Sequence, residues 1–256
     1  MGDLVEAFRV VRFTNKAFWR NPANAFFTFA FPLMFLVIFT ALFGTDTVPV
    51  AGREINTSTF YVGAIAAFSI ITATYTNLAI NLSFTRDLGV LKRIRGTPIA
   101  AWSFMVGRIL HAILITVLLV AIVVAFGALF YEAEVPTETM PAFLVSMAVG
   151  AASFAALGLA ITAAIPNADA APPIVNASIL PLLFISGIFI PIQDPNAWYV
   201  KVAEVFPVYH FAKAMESAYF SVSGSGFEGM HLLILGAWGL AGAIAATLFF
   251  SWEPRR

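Results

Sequence analysis

The residues able to do chemistry in this sequence are few and scattered. His111, His210 and His231 are the three histidines, and they lie too far apart to form a local metal-ligand pattern. There is no cysteine, so thiol catalysis, disulfides and cysteine metal sites are excluded. No Gly-Lys pair occurs, so the phosphate-cradling loop that ends in Gly-Lys-Ser/Thr is absent. Catalysis needs positioned acid and base groups, and no cluster of His, Asp or Glu supplies them. The sequence therefore predicts no catalytic residue and no metal site. What does cluster is positive charge: Arg86, Lys92, Arg93 and Arg95, with Asp87 among them. Such a group suits docking to a partner, or the flank of a membrane span. A second set is polar and uncharged within apolar runs. Thr74, Asn77 and Asn81 step by three and four, and Asn176 and Ser178 precede Phe184. Polar groups in such runs face protein or water. They either line a path or bond between helices, and both readings stay open.

The elements that must position these residues follow from composition. Of 256 residues, 60% are hydrophobic and 11% charged, with a mean hydropathy of +0.88. A soluble domain carries about 25% charge, so the expectation is an integral membrane protein. The formal net charge is zero, 14 basic against 14 acidic, which excludes nucleic acid as a partner on electrostatic grounds. A spanning helix needs about 20 mostly apolar residues. Six stretches qualify, near 25–43, 59–82, 109–130, 142–165, 174–190 and 230–252. The fifth is short and contains Pro181, which predicts a bend. No strongly charged residue sits in the middle of a predicted span, which argues against an ion-coupled secondary transporter. Gly150, Ala151, Ala155 and Gly158 in the fourth span, and Gly236, Gly239, Gly242 and Ala246 in the sixth, predict close helix packing.

Lysine and arginine orient the spans, because cytoplasmic loops hold the excess. With the amino terminus inside, the inner segments contain Arg9, Arg12, Lys16, Arg20, Arg86, Lys92, Arg93, Arg95, Arg108, Arg255 and Arg256. That is eleven of the 14, leaving Arg53, Lys201 and Lys213 outside. Both termini are then expected in the cytoplasm. The zero net charge resolves into eleven basic against five acidic residues inside, and three against nine outside. Trp19, Trp102 and Trp252 fall at inner boundaries, and Tyr61, Tyr131 and Trp198 at outer ones, as interfacial anchors do. Residues 1–22 lack the order of a signal peptide. Arg9, Arg12, Lys16 and Arg20 share one helical face, and Leu4, Phe8, Val11 and Phe18 another. This predicts a helix lying in the membrane interface.

Two further stretches have internal order. In the inner loop 83–104, residues 84–95 predict a short helix ending at Gly96. Thr97 then reads as the N-cap of the next helix, with Pro98 in its first turn. In the outer segment 193–228, two short apolar helices are predicted near 196–206 and 208–220. The first places Trp198, Val202 and Val205 on one side, and the second Phe211, Met215 and Tyr219. Both are too short to span and too apolar for water, which predicts a re-entrant hairpin. Glu204, Lys213 and Glu216 within it either pair or face solvent.

At these residues the chain resembles the type-2 ABC exporter permeases, the membrane subunits of ATP-driven export systems. The inner loop carries Arg86-Asp87, Gly89, Leu91-Lys92-Arg93, Arg95, Thr97-Pro98 and Gly107 at the family's spacing, with Asp87 where Glu is usual. The outer side carries Ser186-Gly187-x-Phe189-x-Pro191 and Phe206-Pro207-x-Tyr209, with Phe206 where Asn is usual. The resemblance covers nearly the whole chain. It implies an all-α membrane protein with six transmembrane helices, an N-terminal interfacial helix, a cytoplasmic coupling helix and an outer re-entrant helical hairpin, all in one domain over 1–256. The contacts it implies for a nucleotide-binding ATPase subunit are Arg86, Asp87, Gly89, Lys92, Arg93, Arg95, Thr97 and Pro98. The implied outer lid comprises Ser186, Gly187, Phe189, Pro191, Trp198, Pro207, Tyr209, Phe211, Met215 and Tyr219. The second and fifth spans would line the subunit interface, making Thr74, Asn77, Asn81, Asn176, Ser178 and Phe184 the candidate path. The implied partners are two ATPase subunits, a second permease subunit (identical or related) and the lipid bilayer. ATP and Mg would be held by the ATPase, with no cofactor in this chain and no reaction catalysed by it. The implied setting is the plasma membrane of a bacterium or archaeon, and the apolar interior points to a drug-like or lipid-like amphipathic cargo. Polysaccharide or glycolipid export is the alternative within the family, and an ATP-independent transporter or channel the alternative outside it.

Overall fold

Backbone N–H and C=O groups in an apolar surround must pair within their own segment, and this chain pairs them in helices. The computed structural model describes residues 2–43, 47–50, 53–97, 99–220 and 224–252. Pro98 and the charged residues Glu253, Arg255 and Arg256 lie outside the described residues. The helices begin with α1 (Gly2–Trp19) and α2 (Pro22–Phe43). A continuous rod follows, made of α3 (Thr57–Ile71), a π turn (Thr72–Thr76) and α4 (Asn77–Asp87). Next come α5 (Val90–Arg95), α6 (Ala101–Tyr131), α7 (Met140–Ile161) and α8 (Ala171–Ile185). The outer segment holds α9 (Trp198–Ala203) and α10 (Pro207–Phe220), and α11 (Gly229–Phe249) follows.

Five of these are long and apolar enough to cross a bilayer: α2, the α3–α4 rod, α6, α7 and α11. The chain is a multi-pass membrane protein. The expected fifth span differs. Its helix α8 has 15 residues, and at about 1.5 Å per residue it falls short of a hydrocarbon core of about 30 Å. The all-α expectation also needs correction. Strands β1 (Thr47–Val50) and β2 (Arg53–Asn56) form an antiparallel ladder that pairs Val48 with Ile55. Both side chains rest against the core. The alternating Val48 and Val50, followed by Ala-Gly and a second short run, was the available signal.

The α3 helix is the axis of the bundle. Its residues from Phe60 to Ile71 are buried, and it packs on α2, α6, α7 and α10. Tyr61, expected as an outer lipid anchor, belongs instead to this core. It is 2% exposed and stacks on Phe39 at 5.1 Å. The small-residue faces do what close packing requires. A Cβ at Gly239 would stand 2.5 Å from Ser153 Oγ, and one at Gly242 3.0 Å from the Leu157 nitrogen, so α11 lies directly on α7. Gly236, by contrast, faces open space. Helix α1 leaves Arg9, Arg12, Lys16 and Arg20 exposed as its stripe predicts. Its packed face is Ala7 and Val10, which meet α6 at Gly107, where a Cβ would sit 2.6 Å from Val10 Cβ. Phe8 is not on that face; it is exposed.

Candidate coupling surface and transport path

The inner loop is built around a change of direction at Gly89. The α4 helix ends at Asp87, and Gly89 takes φ +69°, a left-handed conformation that favours glycine. The predicted single helix over 84–95 is therefore two helices, of which α5 is the short one. Its Leu91 is fully buried in a cluster with Val10, Leu82, Phe104 and Leu159. With Leu91 as the nail, Lys92, Arg93 and Arg95 project into the open. Gly96 closes α5 as expected. Thr97 does not cap the next helix: its hydroxyl donates back to the Ile94 carbonyl, and α6 starts at Ala101 behind Ala100. Glu6 of α1 reaches the Ala100 N–H at 3.4 Å, joining α1 to the start of α6.

Arg86 and Asp87 point the other way. Arg86 is 1% exposed, and its Nη1 and Nη2 donate to the carbonyls of Thr162 (3.0 Å) and Ile165 (2.6 Å). Those carbonyls lie just past the C-terminus of α7, where a cation is favoured. Asp87 accepts from the Ala168 N–H, ahead of α8. The two residues thus latch the end of the α3–α4 rod to the α7–α8 connection. They are buried or half-buried joints within the chain, not open contacts like Lys92, Arg93 and Arg95.

The candidate path residues separate. Asn77 and Asn176 line a cavity of about 340 Å³ between α2, the α3–α4 rod and α8, together with Phe31, Phe68 and Thr72. Asn77 also lines a second cavity of about 210 Å³, with Asn81. Ser178 accompanies Tyr75 in a third, apolar cavity of about 580 Å³ beneath Phe206 and Pro207, and the two hydroxyls bond at 2.8 Å. Phe184 is half exposed and packs on Phe189. Thr74 lines none of these cavities. It is fully buried and its hydroxyl donates to the Ile70 carbonyl. A π turn adds a residue to the helical repeat, so the three-and-four spacing no longer keeps Thr74 on the face of Asn77 and Asn81.

Helix α8 is followed by its C-cap Ser186, and Gly187 turns the chain with φ +89°. Phe189 is buried among Phe35, Phe39 and Phe68, while Pro191 is half exposed. Helix α9 leaves Trp198 and Val202 exposed, and Val205, just past it, is exposed as well. Helix α10 is enclosed by α3, α7, α8 and α11. Phe211 reaches Phe154 and the space above Gly150, and Tyr219 meets Phe143, so α10 runs beside the outer half of α7. Pro207 and Met215 are buried with it, and Tyr209 is half-buried. Lys213 and Glu216 pair at 2.7 Å. His210 and His231 bridge α10 to α11, Nδ1 to Nδ1 at 2.8 Å, and His210 Nε2 donates to the Glu204 carbonyl. This histidine joint was not legible in the sequence, because 21 residues separate its members.

The sequence reading also missed Arg108 and His111. Both lie in α6, were given no role at a site, and line the 210 Å³ cavity.

Comparison with known proteins agrees with this layout. Over 141 residues, 55% of this chain, it is 21% identical to the "Probable multidrug ABC transporter permease YbhR" of Escherichia coli (strain K12). The protein of the same name from Escherichia coli O157:H7 matches equally. The matched stretch is 38% of the length of these curated relatives. Residues 6–220 match the sequence profile of the ABC-2 type transporter, a stretch that runs from α1 through the inner loop to the end of α10, and the chain belongs to that family.

Proposed function

We propose that the chain is the membrane-spanning permease subunit of an ATP-binding-cassette exporter, moving an amphipathic drug-like or lipid-like substrate outward. The observation that carries this reading is the inner surface. Helix α5 is pinned by buried Leu91, held beside the Arg86–Asp87 latch, and exposes only Lys92, Arg93 and Arg95 as cations. That is a rigid basic tooth at the end of the central rod, placed so that displacement of α5 is passed to α4 and, through the latch, to α7 and α8. A nucleotide-binding subunit, holding ATP and Mg, docks on it. Two such ATPases and a second permease, identical or related, complete the assembly. The protein works in the plasma membrane of a bacterium or archaeon with both termini cytoplasmic. In this reading α8 with residues 186–192 forms the fifth of six crossings, and α9–α10 re-enter from outside as a lid. The cavity between α2, the central rod and α8, lined by Asn77 and Asn176, opens toward the partner permease as the cargo path. The relatives' name, a multidrug permease, supports the cargo class.

The test is charge reversal on the tooth. R93E/R95E is expected to abolish co-purification of the ATPase and drug efflux while leaving the permease folded and inserted. Wild-type co-purification and efflux by the double variant would overturn the assignment.

A further inference from the structure

We infer that the cavity walled by α1, α2, α4 and α6 binds a phosphate-bearing anion at the level of the inner headgroup layer. It holds about 210 Å³, and its polar lining includes Asn21, Asn24, Asn77, Asn81, Arg108 and His111, with no carboxylate among the lining residues. Asparagine amides and a guanidinium are hydrogen-bond donors suited to phosphate oxygens. Arg108 enters neither of the two ion pairs found among the described residues. Its Nε is buried without a hydrogen-bond partner, and so is Nε2 of His111. His111 is 8% exposed, its ring edge-on to Phe18 at 5.9 Å.

A guanidinium withdrawn from water without a counter-charge is costly. Here Arg108 and His111, each with a buried nitrogen that has no hydrogen-bond partner, line a cavity with room for a counter-charge. The depth follows from the wall: Thr14, Ala17 and Phe18 of the interfacial helix form one side. An anion seated there neutralises Arg108 and ties α1 to α4 and α6. The site lies apart from the basic tooth of α5, and its existence does not depend on the export reading.

The source of the phosphate is either a phospholipid headgroup or free phosphate, and one experiment separates them. The full chain, purified in a neutral detergent, is titrated with phosphatidylglycerol, phosphatidylcholine or inorganic phosphate, read by native mass spectrometry and thermal unfolding. Phosphatidylglycerol is expected to leave one tightly held copy per chain and raise the unfolding midpoint, with phosphatidylcholine doing neither. R108Q and N81D are each expected to weaken that binding at least tenfold, while K16Q on the exposed face of α1 keeps it. N81D changes an exposed lining position and supplies its own carboxylate to Arg108, so it keeps the test decisive if R108Q does not fold. A saturable shift with inorganic phosphate alone, lost in the same variants, supports the same site with free phosphate as its ligand. Equal binding of phosphatidylcholine, no binding of either phosphate probe, or wild-type binding by N81D would overturn the inference.

Discussion

Arg86 and Arg93 belong to the same basic loop and do opposite things. Arg93 ends in solvent, while Arg86 is buried and fills the carbonyls beyond α7. Charge and spacing placed both in one contact set, because a sequence records which residues are basic but not which way a helix turns them. The consequence differs by residue. Hydrogen bonds from a charged group contribute about 1.5–3 kcal/mol each, and loss of the guanidinium removes the donor to the Ile165 carbonyl and leaves the Thr162 carbonyl with the Ile165 N–H. Arg86→Gln is expected to cost about 3 kcal/mol or more in thermal or denaturant unfolding of the purified chain. Arg86→Lys should recover only part, since one ammonium cannot reproduce a two-pronged donor. An unfolding midpoint for Arg86→Gln equal to wild type would show that the latch contributes nothing.

Elements were legible where their signal was local. The amino-terminal helix, the long apolar helices, the end of α5 at Gly96 and the two short helices α9 and α10 all appear close to where periodicity and composition put them. The break at Gly89 and the π turn were not legible. Each changes helical phase without changing composition, and the π turn takes Thr74 off the face of Asn77 and Asn81. The joint between α10 and α11 has a testable chemistry. His210 gives its Nε2 proton to the Glu204 carbonyl, so in the neutral ring its Nδ1 accepts from Nδ1–H of His231. Around His231 the charged neighbours are Glu204, Glu228 and Lys213, with the Tyr209 ring at 6.1 Å. Replacing His231 with Leu removes the partner and leaves Nδ1 of His210 without it. Hydrogen exchange in α10 is expected to be faster in His231→Leu than in wild type, and an unchanged rate would show that the joint does not hold α10 in place.

At the scale of the whole molecule, charge asymmetry sets a topology that can be read directly, since the chain has no cysteine of its own. Single cysteines at exposed Glu54, in β2, and exposed Asn167, between α7 and α8, should lie on opposite sides. A membrane-impermeant maleimide applied to intact cells is expected to label Glu54→Cys and spare Asn167→Cys; the reverse pattern would invert the proposed orientation. The sequence by itself determined that this is a helical membrane protein, and it predicts that the basic residues gather on one side. Hydrophobicity and the distribution of lysine and arginine are sums over residues, and sums survive ignorance of contacts. Only the tertiary structure decided which charges are surface and which are joints. Arg86 turns inward because carbonyls at the end of α7 await it, and α10 is enclosed because Gly150 leaves room for Phe211. Arg108 and His111 border a cavity because α1 crosses beside them. Each of these depends on a partner 60 or more residues away in the chain, and no local pattern encodes a partner at that distance.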